Sequence, residues 1–198
     1  MKASATKKSL GIKPYIHPLP AFLVASYAPD GKPNMMLASC AGICSIVEPV
    51  CLTVSVHSAR YSHECILHSK AFTLNVPGSA IIAEADFAAL TGGKDVDKFA
   101  ATGLTPVKSD LVNAPYIAEC AINVECELYQ TNTVGAFTQM IGKVIDMKVS
   151  DNCLTADGAY PDVTKYVPLI VDCGIRVYRA PGEKLGDVTA MGTKFIKK

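Results

Sequence analysis

The apolar positions of this chain fall into short blocks separated by turn residues, the pattern of a sheet protein rather than a helical one. Residues 21–28 (AFLVASYA), 50–56 (VCLTVSV) and 71–76 (AFTLNV) are nearly continuous apolar runs of strand length. Pro29-Asp30-Gly31-Lys32-Pro33 is a turn in which proline and glycine set the bend, so residues 35–40 return as the second strand of a hairpin. From Cys120 to Leu128 the even positions Cys120, Ile122, Val124, Cys126 and Leu128 are apolar, alternating with Ala121, Asn123, Glu125 and Glu127. That period of two predicts a half-buried antiparallel strand. Residues 136–149 form another long β-branched segment, with Gly135 in the bend before it, and 164–173 and 175–178 offer further strand. Helices are predicted from residue 61 or 62 to about 70, over 80–89, and over 95–102. The last has Asp95 near its start and Gly103 just past its end.

Several antiparallel strands, an early hairpin and short intervening helices predict a mainly β fold, a β-barrel with helical insertions. A doubly wound sheet needs regular strand–helix alternation, which the second half lacks, and no G-x-G-x-x-G dinucleotide fingerprint is present. No repeat or linker divides the chain, so residues 1–198 are expected to form a single domain, with 1–13 as a flexible or docking arm.

The densest chemistry lies between Asn34 and Pro77. The strand 50–56 runs into the polar loop His57-Ser58-Ala59-Arg60, and a helix follows. Ser62 is expected to cap that helix through its hydroxyl, with Glu64 suited to the first turn. Arg60 then stands just before a helix N-terminus, where unpaired N–H groups and a five-donor guanidinium suit a phosphate. The same residues also fit an ordinary helix cap beside a surface arginine. His57 suits either a ligand contact or a turn cap. Lys98 sits on a helix expected to be exposed. Asn75 is expected to cap a strand end, and His17, His63 and His68 are expected at the surface.

A net charge of +1 gives no argument for nucleic acid or an anionic membrane. No apolar run is long enough for a transmembrane helix, and MKASATKKSL lacks an apolar signal core, so the protein is expected to be cytoplasmic. The eight cysteines form no C-x-x-C pair. Cys40, Cys44, Cys51, Cys120, Cys126 and Cys173 lie among apolar or small neighbours and are expected to be reduced, buried small hydrophobes. If residues 40–44 are helical, Cys40 and Cys44 share a face.

An ordered set of motifs adds a family likeness. It runs through Lys8-Ser9-Leu10-Gly11, Asp30-Gly31-Lys32-Pro33-Asn34, Ala41-Gly42-Ile43, Arg60-Tyr61-Ser62, Asp95-Val96-Asp97-Lys98-Phe99, Gly103-Leu104-Thr105-Pro106, Ala114-Pro115-Tyr116 and Lys184-Leu185-Gly186. On these the chain resembles the flavin reductase-like FMN-binding split-barrel family, and within it the flavoredoxins. The resemblance implies a six-stranded antiparallel Greek-key split barrel, a homodimer, and one FMN per subunit near the dimer interface. It implies that Asn34 and the backbone of Leu37, Ala38, Ser39 and Cys40 lie along the flavin ring. Ser55, Val56, Arg60 and Ser62 would hold ribityl and phosphate groups, and Lys98 would touch phosphate or ring.

Relatives often carry Thr, Trp and His where Leu37, Cys40 and Phe137 stand, which leaves the flavin more open and removes side-chain bonds to it. Phe137 could still stack on the ring, and Cys40 would place a sulfur near it. Two functions follow from the resemblance. One is a flavoredoxin-like carrier moving electrons through bound FMN to and from a redox partner protein. The other is an NAD(P)H:flavin oxidoreductase using NADH or NADPH as transient donor.

Overall fold

The computed structural model describes residues 6–14 and 16–196. Residues 6–14 are exposed, and the first part of the expected arm, residues 1–5, lies outside the described residues. β1 (Leu19–Pro20) leads into a hairpin of β2 (Phe22–Tyr27) and β3 (Pro33–Ala38). Gly31 makes the bend at φ +81°, a left-handed conformation that costs glycine little. A second hairpin, β4 (Ala41–Ser45) and β5 (Cys51–His57), follows directly. Cys40 and Cys44 therefore flank and occupy a strand, so they share no helical face. Helix α1 (Tyr61–Ser69) carries the chain to β6 (Ala71–Val76).

Next come α2 (Ile82–Leu90), α3 (Lys98–Thr102), and a ribbon of β7 (Pro106–Lys108) and β8 (Pro115–Ile117). The longest hairpin pairs β9 (Ile122–Val134) with β10 (Phe137–Val149), turning at Gly135 with φ +59°. The chain finishes through α4 (Val163–Tyr166), β11 (Ile170–Asp172) and β12 (Val177–Arg179). The expected strand over 164–173 thus divides into a short helix and a short strand, because Asp162 caps Thr164 N at 2.9 Å and starts a helical turn. The helix expected over 95–102 begins only at Lys98, since Asp97 rather than Asp95 caps it by accepting from Ala100 N at 3.0 Å.

The main sheet is antiparallel and ordered β3-β2-β6-β9-β10-β5-β4. Its two edge strands, β3 and β4, are consecutive in the chain and separated only by Ser39-Cys40. Such a sheet curls to bring its edges near one another, and Ser55 N donating to Cys40 O at 2.8 Å extends the β4–β5 ladder back to the join with β3. Because β6 returns beside β2 rather than beside β5, the connection crosses the barrel end through α1, a Greek-key step. The split barrel expected from the sequence is present, with seven strands in the main sheet instead of six, since β4 forms its own edge beyond β5.

The barrel is filled by side chains such as Val24, Val54, Phe72, Leu74, Val124 and Met140. A second core lies outside the wall, where Leu23, Ala25 and Met35 pack under Ala85, Ala88 and Phe99 of α2 and α3. Two-sided burial explains why β2 reads as a continuous apolar run. It also corrects the half-buried reading of β9, whose Asn123 and Glu125 are buried as well.

The cover over that face is β8, held both by Ile117 in the second core and by hydrogen bonds. Asn75, expected as a strand-end cap, is fully buried and acts as the hub. It donates to Leu23 O (2.7 Å) and Thr73 Oγ1 (2.9 Å), and accepts from Ile117 N (3.1 Å) and Asn123 Nδ2 (2.8 Å). Buried Glu125 pairs with Lys148 Nζ at 2.5 Å, and Lys148 lies 5.8 Å from the Tyr116 ring centroid on β8. Removing one partner of such a network strands a buried polar group, which costs more than the bond itself contributes.

Among the described cysteines, Cys51, Cys65, Cys120, Cys126 and Cys153 are buried. Burial pushes the Cys65 thiol up to about 11 and Cys126 up to about 12, and raises Cys120 further, so these three are inert spacers. Cys40 and Cys44 depart from the buried expectation and are exposed, because they stand at and beyond the join between β3 and β4 rather than inside the wall.

Gly142 faces the barrel interior, where an added Cβ would stand 2.6 Å from Phe72 Cζ and 2.7 Å from Cys126 Cβ. Gly142→Ala is expected to destabilise the fold by about 1–3 kcal/mol, the usual cost of overpacking. Thermal unfolding followed by circular dichroism checks this; an unchanged midpoint would show that the barrel wall relaxes freely.

Candidate functional site

The loop after β5 is a tight turn in which Arg60 N donates to His57 O at 2.9 Å. His57 Nδ1 accepts from Ala59 N at 3.1 Å, so the imidazole caps the turn, and its ring meets Phe137 edge-on with centroids 5.0 Å apart. Arg60 itself, extended at φ −78° and ψ 134°, is the N-cap of α1, and no side chain bonds the amides of that first turn. The expected Ser62 cap is corrected here. Ser62 is buried, and its hydroxyl accepts from Asn34 Nδ2 at 2.8 Å, because the buried Asn34 amide requires an acceptor. Ser62 and Asn34 thus position each other beneath the site.

Lys98 also departs from the expectation of an exposed lysine, being only 5% exposed. Its Nζ donates to Ala88 O at 2.8 Å, and Arg60 Nη1 reaches Ala89 O at 3.5 Å. Both cations therefore rest on carbonyls at the C-terminal end of α2, where the helix dipole favours positive charge. Among the described residues neither has an ion-pair partner. Burial, followed by repulsion from Arg60, lowers the Lys98 ammonium to about 8.

Arg60, Lys98 and the uncapped turn of α1 converge on a cleft of about 250 Å³, also lined by Tyr61, Ser62 and Gly93. Lys94 and Asp95 line it too, but Arg60 and Lys98 have no ion-pair partner among the described residues, which suits the cleft to an anion. The loop Thr91-Gly92-Gly93, which reads in the sequence only as a helix breaker, closes one wall. An added Cβ at Gly93 would lie 2.1 Å from Asn34 Oδ1, so this glycine allows the loop to sit directly on Asn34. Sequence reasoning missed that contact, since nothing local ties position 93 to position 34.

A second cleft, of about 280 Å³, joins the first at Met36 and Arg60 and runs along Leu37, Ala38, Ser39 and Cys40 to Ser55 and Phe137. Its floor is the edge of β3, whose outward backbone groups have no strand partner. Leu37 packs against the second core, and Ala38 is buried against the barrel filling, so both meet the cleft mainly through backbone. Val56 is corrected as a site side chain: it points wholly into the barrel core, and its neighbour Ser55 faces the cleft. His63, expected at the surface, is half-buried and bonds Thr138 Oγ1 at 2.9 Å; His17 stands 3.5 Å from Asp172, and His68 is exposed.

Residues 15–165 match the model of the flavin reductase like domain, and the chain belongs to that family. It is 40% identical to the flavoredoxin of Desulfovibrio vulgaris (Miyazaki F), covering 94% of this chain and 100% of that one, with a TM-score of 0.89. It is 26% identical to the flavoredoxin from Methanosarcina acetivorans over 97% of this chain and 100% of that one, with a TM-score of 0.91. A Pyrococcus abyssi protein is 30% identical over 130 residues, which is 66% of this chain and 73% of the relative.

The lowered Lys98 fixes a sign for pH dependence. In the unfolded chain this lysine titrates near 10.4, so between about 8 and 10.4 the unfolded state holds more protons and stability rises with pH. Lys98→Met removes that term. Its stability relative to the parent protein is expected to be most favourable near pH 7 and to decline towards pH 10. Urea unfolding at several pH values checks this, and a pH-independent difference would contradict the burial of a charged ammonium.

Proposed function

We propose that the protein is a flavoredoxin-like electron carrier that holds one FMN per subunit. The observation that carries this reading is the pair Arg60 and buried Lys98, without carboxylate partners, at the uncapped start of α1. The likeness to two proteins called flavoredoxin at full coverage supports it. Arg60, Lys98 and the α1 amides would bind the phosphate. Asn34 and Ser62 would orient the wall beneath the ribityl chain, with Ser55 beside it. The free edge of β3 from Leu37 through Cys40 would bond the ring through backbone groups, and Phe137 would border the ring with its aromatic edge. When bound, FMN supplies the electron chemistry; the protein's part is to bind, orient and tune it.

A homodimer completes this reading. Ile43, Ile46, Val47 and Val50 of the β4–β5 hairpin are exposed, as are Val134 and Phe137, the last of which lines the ring cleft, and a second copy would cover them. Electrons would pass to and from a redox partner protein. Net charge of +1 offers nothing to nucleic acid, and no helix is long and apolar enough to cross a membrane. We place the protein in the cytoplasm. The exposed position of Cys40 at the ring cleft leaves space for a nicotinamide. That favours, as a second reading, an NAD(P)H:flavin oxidoreductase with NADH or NADPH as transient donor. Fast anaerobic reduction of the loaded protein by NADH or NADPH would select this reading over the carrier.

Desalted protein loaded with FMN is expected to retain about one flavin per subunit. It should bind FMN more tightly than riboflavin, which lacks the phosphate. Arg60→Ala should narrow that preference roughly tenfold or more, the scale of a lost charge-assisted hydrogen bond. Equal binding of FMN and riboflavin by the parent protein would refute the anion cleft.

A further inference from the structure

The anion cleft has two walls. One is the start of α1, with Arg60, Tyr61 and Ser62; the other is the segment 91–97 that joins α2 to α3. An ion pair spans from wall to wall: Lys94 Nζ stands 2.8 Å from Glu64 Oε2, and Glu64 belongs to the first turn of α1. The same ammonium lies 5.2 Å from the centroid of the Tyr61 ring.

The segment is anchored at its ends and lightly held between them. At its start Thr91 donates twice to Phe87 O, from N at 3.3 Å and from Oγ1 at 3.1 Å. At its end Asp97 caps α3. In the middle Asp95 N and Val96 N both donate to Gly92 O at 3.2 Å, a turn that keeps its own shape. That turn meets Asn34 through Gly93, which has no side chain to interlock with the wall. A larger cleft of about 430 Å³ shares Tyr61, Gly93 and Lys94 with the anion cleft. The turn thus borders open space on that side as well, and packed core does not block its movement.

We propose that residues 91–97 form a strap across the anion cleft and that the Glu64–Lys94 pair is its clasp, setting how fast the flavin phosphate enters and leaves. The inference rests on the flavin reading above and adds a control of exchange to that site. Lys94 is 63% exposed and Glu64 50% exposed. A pair so exposed is weak and opens readily, as a clasp must if a ligand is to pass. A carboxylate near a phosphate works against binding, so Glu64 is explained by the lysine it holds rather than by the anion. The rival reading is that Glu64 and Lys94 are independent surface charges, with Glu64 complementing the α1 dipole.

The two readings differ in sign. As independent charges near a phosphate, the two residues act oppositely when neutralised. Glu64→Gln would then speed FMN association and slow its release, and Lys94→Met would do the reverse. As halves of a clasp they act alike: each variant frees the strap, and each should raise both rates about two- to fivefold, the scale of an exposed ion pair. The double variant should be no faster than the faster single one. Stopped-flow fluorescence of FMN mixed with flavin-free full-length protein reads association, and dilution of the loaded protein reads release. Both sites are exposed, and Lys94→Gln serves if the methionine variant fails to fold. Slower release in Glu64→Gln, slower association in Lys94→Met, or parental rates in either variant would overturn the clasp and leave the flavin reading standing. Absence of FMN binding by the parent protein would instead overturn the flavin reading, and the clasp with it.

Discussion

A guanidinium and a buried ammonium share one cleft with no ion-pair partner for either among the described residues, and the surrounding fold is arranged to tolerate their repulsion. The last carbonyls of α2 hold both cations. The uncapped first turn of α1 adds further positive potential from its amides. In isolation this arrangement works against stability, since Lys98 gives up hydration and gains another cation as neighbour. Such a cost makes sense where an anion repays it, and strain or mismatch of this kind concentrates at functional sites.

The barrel serves this cleft by controlling where backbone ends up. Because β3 pairs with β2 alone, it is an edge strand whose free polar groups line the ring cleft. The cross-barrel step through α1 brings Arg60 to the end of that edge. Two-sided packing of β2 places α2 and α3 against the outside of the wall, which delivers Lys98 and the α2 carbonyls to the same point. Asn34 links these parts: it sits on β3, bonds Ser62 in α1, and supports the Gly93 loop. The buried amide network around Asn75 fixes β8 over the opposite strands and keeps the wall rigid.

The strands were legible in the sequence because their apolar runs and the bends at Gly31 and Gly135 are local signals. That Ser39, Cys40 and Ser55 line one cleft and Arg60 the next follows from local order along a strand and the loop after another. What failed depended on contacts between distant segments. Ser62 reads as a cap by propensity, yet a buried amide from position 34 claims its hydroxyl. Lys98 reads as solvated because its helix is short and polar at its start, and only the packing of α2 buries it. Glu125 and Asn123 read as an exposed face because alternation does not show that the ribbon just before β9 folds back over them. Periodicity reports which face of a strand is apolar; it does not report that a polar face will be covered by a neighbouring ribbon.

If Lys98 is the phosphate ligand proposed above, its ammonium, lowered by burial and by Arg60, gains proton affinity when the phosphate arrives. The direct measurement is proton exchange on flavin binding at pH 8, from calorimetry in buffers of different ionisation enthalpy. A phosphate monoester is already dianionic there, with its second pKa near 6, so any uptake reports the protein. The account predicts uptake of a fraction of a proton with FMN, none with riboflavin, and none with FMN in Lys98→Met. FMN binding without proton uptake in the parent protein would contradict it.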